Sequence, residues 1–305
     1  MGDERKLGEL LEAWFGPEEL RRDEPMSRHT TFEVGGPADF FVTPSDAKGV
    51  EHAVEAAIST GVPWRVMGQG SNLLVADAGV RGLVLCIGER LSHIEVEGTR
   101  IRAGAGATNE AVAEVACDAG LAGYEFASGI PGSIGGAAIM NAGAYDGEFK
   151  DVATSVRCLV PGQGVREVSA EEAAWGYRHS MMSDLGYIVL EVTLELQEDD
   201  PAAIRARIDD LTARRESKQP LEMASAGSTF KRPVGHYAGK LIEEAGMRGH
   251  AVGRAQVSEK HCGFVINTGG ATSVEVLQVI HDVQEAVHER SGVMLEPEVR
   301  MWGFD

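Results

Sequence analysis

The chain has few of the residues that mark metal-binding and disulfide-bonded proteins. Only four of its 305 residues are cysteine, and they stand apart with no CxxC pair. Scattered cysteines of this kind are typical of a reduced, cytoplasmic protein and argue against a disulfide framework or a zinc site. The nine histidines form no HxH or HExxH pattern. The sequence therefore predicts no metal centre.

Long apolar runs are missing too, and basic residues are fewer than acidic ones. No stretch reaches the length that a membrane span needs, and the N-terminus MGDERKLGEL lacks the pattern of a signal peptide. With 28 Lys and Arg against 47 Asp and Glu, the net charge is −19. This balance disfavours nucleic acid or an anionic membrane as a partner. We expect a cytoplasmic protein with no membrane contact.

The GxGxxG pattern of a Rossmann dinucleotide site is missing as well, although glycine is abundant. Residues 127–145, ASGIPGSIGGAAIMNAGAY, contain five glycines among apolar residues. Backbone amides in such a run can cradle a phosphate, but a tight crossing between strands explains the glycines equally well. A second glycine-rich turn, GQGSNLL at residues 68–74, follows the predicted strand WRVM and is typical of another phosphate loop.

Apolar spacing and capping residues predict alternating helices and strands. Capping signals predict helices over residues 47–60, 109–119, 201–217 and 273–290. Alternation predicts a strand over residues 187–196, and TTFEVGGPADFFV predicts a hairpin. A last strand is predicted over residues 293–302. Three acidic residues before Pro201 favour a domain boundary near residue 200.

Three residues are candidates for chemistry because of the sequences around them. Arg178 follows a tyrosine, and an arginine suits a carboxylate or a pyrophosphate; a surface ion pair is the alternative. Ser228, in AGSTF, lacks a GxSxG elbow, so we expect either a proton donor or a plain turn serine. Glu298 stands in an apolar strand, where desolvation would raise the pKa of its carboxyl, unless the side chain faces water.

Seven motifs then occur in one order over residues 28 to 301. They are RHTTFEVGGPAD, GQGSNLLVADAGVRGLVL, GIPGSIGGAAIMNAGAY, YRHS, GSTFKRP, AGKLIEEAG and LEPEVR. Together they resemble the UDP-N-acetylenolpyruvoylglucosamine reductases, flavoenzymes of bacterial peptidoglycan precursor synthesis. Only residues 234–237 separate FKRP from AGKLIE, so the chain is similar to the shorter, second type of that family.

The resemblance implies an α+β fold, with a two-subdomain FAD-binding fold of the vanillyl-alcohol-oxidase (PCMH) type plus a third α/β substrate domain. The domains would be residues 1–90, 91–200 and 201–292, and a C-terminal strand in 293–305 could return to the first. The cofactor would be non-covalent FAD. Its pyrophosphate would lie against the two glycine loops, at Gly68, Gln69, Gly70, Ser71, Asn72 and Leu73 and at Gly129, Ile130, Pro131, Gly132, Ser133, Gly135 and Gly136.

The reaction implied by the resemblance is the NADPH-dependent reduction of the enolpyruvyl ether of UDP-N-acetylglucosamine to UDP-N-acetylmuramate. Hydride addition at C3 of the enolpyruvyl group leaves negative charge on C2 and its carboxylate, which Arg178 and Glu298 would stabilise. Glu298 would have to be protonated there, because a second anion would repel the enolate. Ser228 would deliver the proton to C2. The preference for NADPH over NADH rests on the resemblance alone.

Substrate contacts are expected from a tyrosine and three lysines. Tyr177 would lie at the substrate carboxylate or the flavin. The UDP diphosphate would bind Lys231, Lys240 or Lys260, which could equally be surface lysines. We expect a monomer.

Two other functions stay open at this point. The first is an FAD oxidase of a small alcohol, many of which tether flavin through a histidine in the pyrophosphate loop. Residues 67–74 contain no histidine, and such oxidases lack the GSTFKRP and EPEVR motifs. The second is a non-catalytic UDP-sugar or flavin-binding module, which the presence of Arg178, Ser228 and Glu298 disfavours.

Overall fold

The computed structural model describes residues 2–304 of the chain. Its helices are α1 (Glu4–Trp14), α2 (Ala47–Thr60), α3 (Asn109–Asp118), α4 (Ile134–Met140), α5 (Ala170–Ala173), α6 (Met181–Leu185), α7 (Pro201–Lys218), α8 (Ala238–Glu244) and α9 (Ser273–Ser291). The four helices predicted from capping signals are therefore confirmed to within two residues. None of the helices in the described part of the chain is both long and apolar enough to cross a membrane.

The strands are mostly short. They are β1 (Leu20–Pro25), β2 (Pro37–Val42), β3 (Trp64–Met67), β4 (Leu73–Val75), β5 (Val80–Cys86), β6 (Ile94–Glu97), β7 (Arg100–Gly104), β8 (Leu121–Ala122), β9 (Gly143–Ala144), β10 (Gly147–Glu148), β11 (Ala153–Val160), β12 (Gly164–Ser169), β13 (Ile188–Glu195), β14 (Gln197–Glu198), β15 (Ala224–Ser225), β16 (Ala251–Val252), β17 (Ala255–Val257), β18 (Val265–Asn267) and β19 (Arg300–Trp302). Near the N-terminus, β1, β2, β5 and β3 form one sheet in that order.

Two compact units make up the chain. The first contains the residues up to Arg21, Phe40–Gln69 and Gly82–Arg215, and the second contains Arg22–Asp39, Gly70–Arg81 and the residues from Glu216 onward. Each unit has its own cluster of buried apolar side chains. Helix α7 carries the chain from the first unit into the second. The expected boundaries at residues 90 and 200 stay predictions.

The first unit is built on the five-stranded antiparallel sheet β12-β11-β13-β7-β6. Strands β11 and β12 pair across the turn PGQG, with Val160 opposite Gly164. Strand β13, which alternation predicted, lies at the centre of this sheet and alternates between buried and half-buried residues from Leu190 to Glu195. Helix α4 contacts β13, so the sheet supports the glycine-rich stretch that contains this helix.

The second unit is built on the four-stranded antiparallel sheet β15-β18-β17-β16, against which helix α9 packs. One face of α9 is an apolar stripe that is buried, and it consists of Val276, Ile280, Val283 and Val287. The helix begins with a capping box between Thr272 and Glu275 and ends at Gly292, whose φ of 72° suits glycine. Strand β19 pairs in parallel with β4, placing Arg300 opposite Leu73.

Two predicted strand segments are wrong. Only the second half of the predicted hairpin is a strand, β2, because Glu33 and Gly35 take left-handed φ values of 57° and 135° that interrupt an extended chain. Phe32 and Val34 are buried although they lie in a loop. Their spacing of two residues is the same as that of buried residues in a strand. The predicted last strand shortens to β19, since Pro297 has no N–H to donate to a ladder.

Candidate active site

The two glycine-rich loops touch each other in the first unit. The loop after β3 begins at Gly68, and its carbonyl oxygen accepts a weak hydrogen bond of 3.5 Å from the Cys86 Sγ. A Cβ atom on Gly68 would overlap the Oγ of Ser133, which belongs to the second loop. Ser133 is buried and caps α4. The glycine at position 68 is therefore what permits this close approach.

Within the longer stretch, the glycines have different roles. The amide nitrogens of Ile134 and Gly135 donate to the carbonyl oxygens of Ala107 and Ala105, at 2.8 and 3.0 Å. A Cβ on Gly135 would lie 2.7 Å from the Cβ of Ala105, so Gly135 serves a tight packing contact. Gly136 is exposed, and its nearest neighbour would be the Ser133 Oγ, 3.8 Å from the added Cβ. The backbone at Gly136 thus faces open space.

A buried cation lies against the same loop. The guanidinium of Arg215, near the end of α7, donates to the carbonyl oxygen of Gly129. Arg215 is only 9% exposed, and burial lowers the pKa of its guanidinium, while a hydrogen bond with Tyr145 acts in the opposite direction. An arginine stays charged in proteins even so. The loop that contains Gly129 therefore carries positive charge beside its backbone.

Arg178 occupies a tight turn of the first unit. Gly176 and His179 exchange backbone hydrogen bonds of 3.0 and 3.3 Å, so Tyr177 and Arg178 form the two central residues. Arg178 has a φ of 53°, which a long side chain rarely adopts. It is half-buried, and its guanidinium lies 5.6 Å from the ring centre of Tyr177, which is 55% exposed. Strained backbone of this kind is concentrated at functional sites.

The second unit joins three motifs that are far apart in the sequence. The Glu298 amide donates to the carbonyl oxygen of Thr229 at 2.8 Å, and Phe230 pairs with Pro297 as an isolated antiparallel bridge. The Asn72 side chain donates to the carbonyl oxygen of Glu298 at 3.2 Å. The backbone of Glu298 is therefore held between the segment that follows Ser228 and the glycine-rich turn at residues 68–74.

Ser228 itself is exposed, but the residue after it is firmly held. The Thr229 amide donates to the carbonyl oxygen of Gly263 at 2.9 Å, and the Thr229 Oγ1 accepts from the amide of Val265 at 2.9 Å. Thr229 is fully buried. An accessible hydroxyl on a fixed backbone, next to the half-buried Glu298, is suited to deliver a proton to a bound molecule.

The three predicted substrate lysines all have carboxylate partners. Their pairs are Lys231 with Glu296 at 3.1 Å, Lys240 with Glu244 at 3.7 Å, and Lys260 with Glu222 at 3.7 Å. A diphosphate at any of these lysines would compete with a carboxylate. Their role in substrate binding stays a prediction.

Sequence reasoning missed two residues that support the site. Asn141 is buried, and its side chain donates to the carbonyl oxygen of Gly176 in the Arg178 turn. The sequence NAGAY could have indicated its role, because asparagine tolerates the left-handed backbone at the end of a helix and Asn141 follows α4 directly. Arg215 was the other, and nothing local distinguishes it from its charged neighbours on α7.

The chain matches known protein families and named proteins. Residues 219–302 match the C-terminal domain model of UDP-N-acetylenolpyruvoylglucosamine reductase, and residues 38–169 match an FAD binding domain. The UDP-N-acetylenolpyruvoylglucosamine reductase of Agathobacter rectalis is 51% identical over 296 residues, with 93% of this chain and 94% of that protein covered. The chain belongs to the UDP-N-acetylenolpyruvoylglucosamine reductase family.

Other members of this reductase family support the assignment. The Clostridium perfringens protein is 48% identical, with 97% of both chains covered. The crystal structure of the Thermus caldophilus reductase has a TM-score of 0.82 at 35% identity and covers 93% of this chain and 99% of that one. The family resemblance and the FAD-binding fold expected from it are thus confirmed.

The chain's residues also fit a flavin dinucleotide. The open backbone at Gly136 leaves room beside the loop, and the buried guanidinium of Arg215 supplies charge suited to a pyrophosphate. In residues 2–304, no three His, Cys, Asp or Glu side chains are grouped so as to hold a metal ion.

The contrast between Gly136 and Gly68 gives a testable prediction. We expect Gly136→Ala to lower flavin affinity about tenfold, because the added methyl group fills the open face. The free energy of unfolding of the apoprotein should rise by about 0.5–1 kcal/mol, because alanine is a better helix former than glycine. Gly68→Ala should lower both, since its methyl group would overlap Ser133. Flavin titration and thermal unfolding measure the two effects. Unchanged flavin affinity in Gly136→Ala would place the cofactor elsewhere.

Proposed function

We propose that this chain reduces the enolpyruvyl ether of UDP-N-acetylglucosamine to UDP-N-acetylmuramate, with FAD as non-covalent cofactor and NADPH as reductant. Membership of the reductase family supports this function. The observation that carries it lies in the second unit, where the backbone of Glu298 is hydrogen-bonded to both Asn72 and Thr229. Because Ser228 directly precedes Thr229, these bonds make Ser228 and Glu298 neighbours.

The glycine loops and Arg215 would hold the cofactor. Gly129, Gly132 and Ser133 belong to the loop that contacts Gly68, and the Arg215 guanidinium lies against Gly129. The chemistry that FAD supplies when bound is hydride transfer from NADPH to the double bond of the enolpyruvyl group. The remaining steps fall to side chains of this protein.

Three side chains would act on the substrate. Hydride addition at C3 makes C2 and its carboxylate an enolate, and the Arg178 guanidinium would bind that negative charge with its planar set of donors. Glu298, in its protonated form, would donate a hydrogen bond to the same carboxylate. The Ser228 hydroxyl would donate its proton to C2, which completes the saturated lactyl ether.

The uridine diphosphate would be bound by polar and aromatic side chains at the surface of the protein. Tyr177 would lie at the substrate carboxylate or the flavin, and Lys231, Lys240 and Lys260 would contribute positive charge after exchanging their carboxylate partners for phosphate.

We also propose that the protein acts as a cytoplasmic monomer. Light scattering of the purified protein should then give a mass near 32.5 kDa.

An anaerobic experiment tests the function directly. NADPH should bleach the visible absorbance of the bound flavin, and the enolpyruvyl UDP-sugar should then restore it with formation of one equivalent of UDP-N-acetylmuramate. UDP-N-acetylglucosamine, which lacks the enolpyruvyl group, is the matched control and should restore nothing. If the enolpyruvyl compound also fails to restore the absorbance, the proposed function is wrong.

The protonation state proposed for Glu298 can be tested by comparing two substitutions. Glu298→Gln keeps a hydrogen-bond donor without charge, whereas Glu298→Leu keeps neither donor nor acceptor. Since a hydrogen bond to a charged group contributes more than one between neutral groups, we expect Leu to slow reoxidation by about tenfold to a hundredfold and Gln to slow it several times less. Stopped-flow absorbance measures both rates. Equal losses in the two variants would contradict a donor role.

A further inference from the structure

The turn that carries Arg178 is fastened to helix α4 by three side chains. The Trp175 Nε1 donates to the carbonyl oxygen of Ala138 at 2.7 Å, and the Ser180 Oγ donates to that of Ile139 at 2.8 Å. Both acceptors lie in the last turn of α4, whose carbonyl groups lack partners within the helix. These two bonds hold the ends of the segment 175–180 but do not touch the turn between them.

The third side chain, Asn141, bonds the turn itself. It is the C-cap of α4, with a φ of 43°, and is 2% exposed. Its Nδ2 donates to the carbonyl oxygen of Gly176 at 3.0 Å, and Gly176 is the first residue of the turn. Because Arg178 takes a strained φ of 53°, the turn needs such external bonds to stay in one conformation.

The other atoms of the Asn141 amide are also engaged. Its Oδ1 accepts from the Lys150 amide at 3.0 Å, and its Nδ2 donates a second bond to the Glu148 carboxylate at 3.1 Å. Glu148 also pairs with the Lys150 side chain. The hydrogen bond from Lys150 lowers the pKa of Glu148 most, with smaller contributions from Asn141 and from the charge of Arg178. Asn141 is therefore held rigidly while it holds Gly176.

We propose that Asn141 is a positioning residue that keeps the Arg178 guanidinium in place for the substrate. This inference rests on the role proposed for Arg178. The same helix begins at the cap Ser133, which touches Gly68. Through α4, Asn141 thus ties the turn of Arg178 to the loops proposed to hold the flavin, and a fixed geometry between the two favours the reaction.

The test replaces Asn141 by glycine, which accepts the left-handed backbone and removes the whole side chain together with its hydrogen bonds. We expect reoxidation of the reduced flavin by the enolpyruvyl sugar to slow about tenfold, with the reduction by NADPH and the flavin content unchanged. The control is Ala174→Gly. Ala174 is exposed with a φ of 45°, so this variant adds glycine beside the segment without removing a side-chain hydrogen bond, and its rates should equal those of the wild type.

A second measurement reports on the turn without the reaction. Hydrogen–deuterium exchange of the peptide containing residues 175–180 should become faster in Asn141→Gly and stay unchanged in Ala174→Gly, because a loosened turn opens more often. Unchanged exchange in Asn141→Gly would overturn the inference, even if its activity fell. If the wild-type flavin is not reoxidised by the enolpyruvyl sugar at all, the proposed function fails, whatever the exchange shows.

A double-mutant cycle then separates positioning from a general structural effect. In an Arg178→Ala background, Asn141→Gly should slow reoxidation no further, because the side chain that it positions is already gone. An additional tenfold loss in that background would show that Asn141 acts independently of Arg178 and would overturn the inference. Wild-type reoxidation in the single Asn141→Gly variant would do the same.

Discussion

Replacing Ser228 by alanine should slow the reoxidation of reduced flavin by the enolpyruvyl UDP-sugar about a thousandfold, within the range of about 10² to 10⁴ for a lost proton donor. The carbanion at C2 would have to take its proton from water, which is not positioned for the transfer. Reduction of the flavin by NADPH needs no proton at C2, so its rate should stay at the wild-type value. Stopped-flow absorbance under anaerobic conditions separates the two half-reactions.

The local structure allows this substitution without damage to the fold. Ser228 is exposed, and the hydrogen bonds that hold this segment are made by the neighbouring Thr229. Ser225→Ala, in the same segment, is the matched control and should turn over normally. Solvent deuterium should slow reoxidation in the wild type, because the proton that the serine hydroxyl transfers exchanges with solvent. A fall in flavin content or in the NADPH reaction would instead show that Ser228 is structural.

Replacing Arg178 by alanine should slow the same half-reaction by about 10² to 10³, the usual cost of losing one donor to an oxyanion. The loss should be largest in the maximal rate, because the negative charge develops during the reaction rather than in the bound substrate. Arg178→Lys should recover only part of it. Lysine keeps the charge but lacks the planar fork of donors that matches a carboxylate.

A second arginine controls for the loss of positive charge in this acidic protein. Arg166 is an exposed residue of the first unit that pairs with Glu172, so Arg166→Ala changes the net charge equally and should leave the rate unchanged. Single-turnover reoxidation over a range of substrate concentrations distinguishes binding from the chemical step. If Arg178→Ala weakened only substrate binding, Arg178 would be a binding residue and not a stabiliser of the enolate.

Much of the fold followed from local chemistry. Helices α2, α3 and α9 begin at side-chain caps that the sequence displays, and α2 and α9 end at the glycines that it supplies. Strands β11 and β12 are likewise joined by a short turn, PGQG. Such features involve residues within a few positions of each other, so their hydrogen bonds form wherever the segment lies.

The failures have a common physical cause. The buried Phe32 and Val34 gave an alternating pattern, yet that segment is a loop, because a core can bury side chains from irregular backbone as well as from a strand. Likewise, the exposure of Gly136 and the close packing of Gly135 cannot be told apart from the letters GG. Burial pattern alone does not specify the path of the backbone.

By itself, the sequence determined the family of this protein, the presence of a flavin-binding domain and the candidates Arg178, Ser228 and Glu298. These follow from short motifs in a fixed order, which can be read directly from the sequence. Only the tertiary structure decided that Glu298 is hydrogen-bonded to Thr229 and Asn72, and that Asn141 holds the turn of Arg178. The structure also showed that two adjacent glycines of the glycine-rich stretch have different roles. Gly135 makes a close packing contact, whereas Gly136 faces open space. These features join residues up to 226 positions apart, and contacts of that range depend on how the whole chain packs.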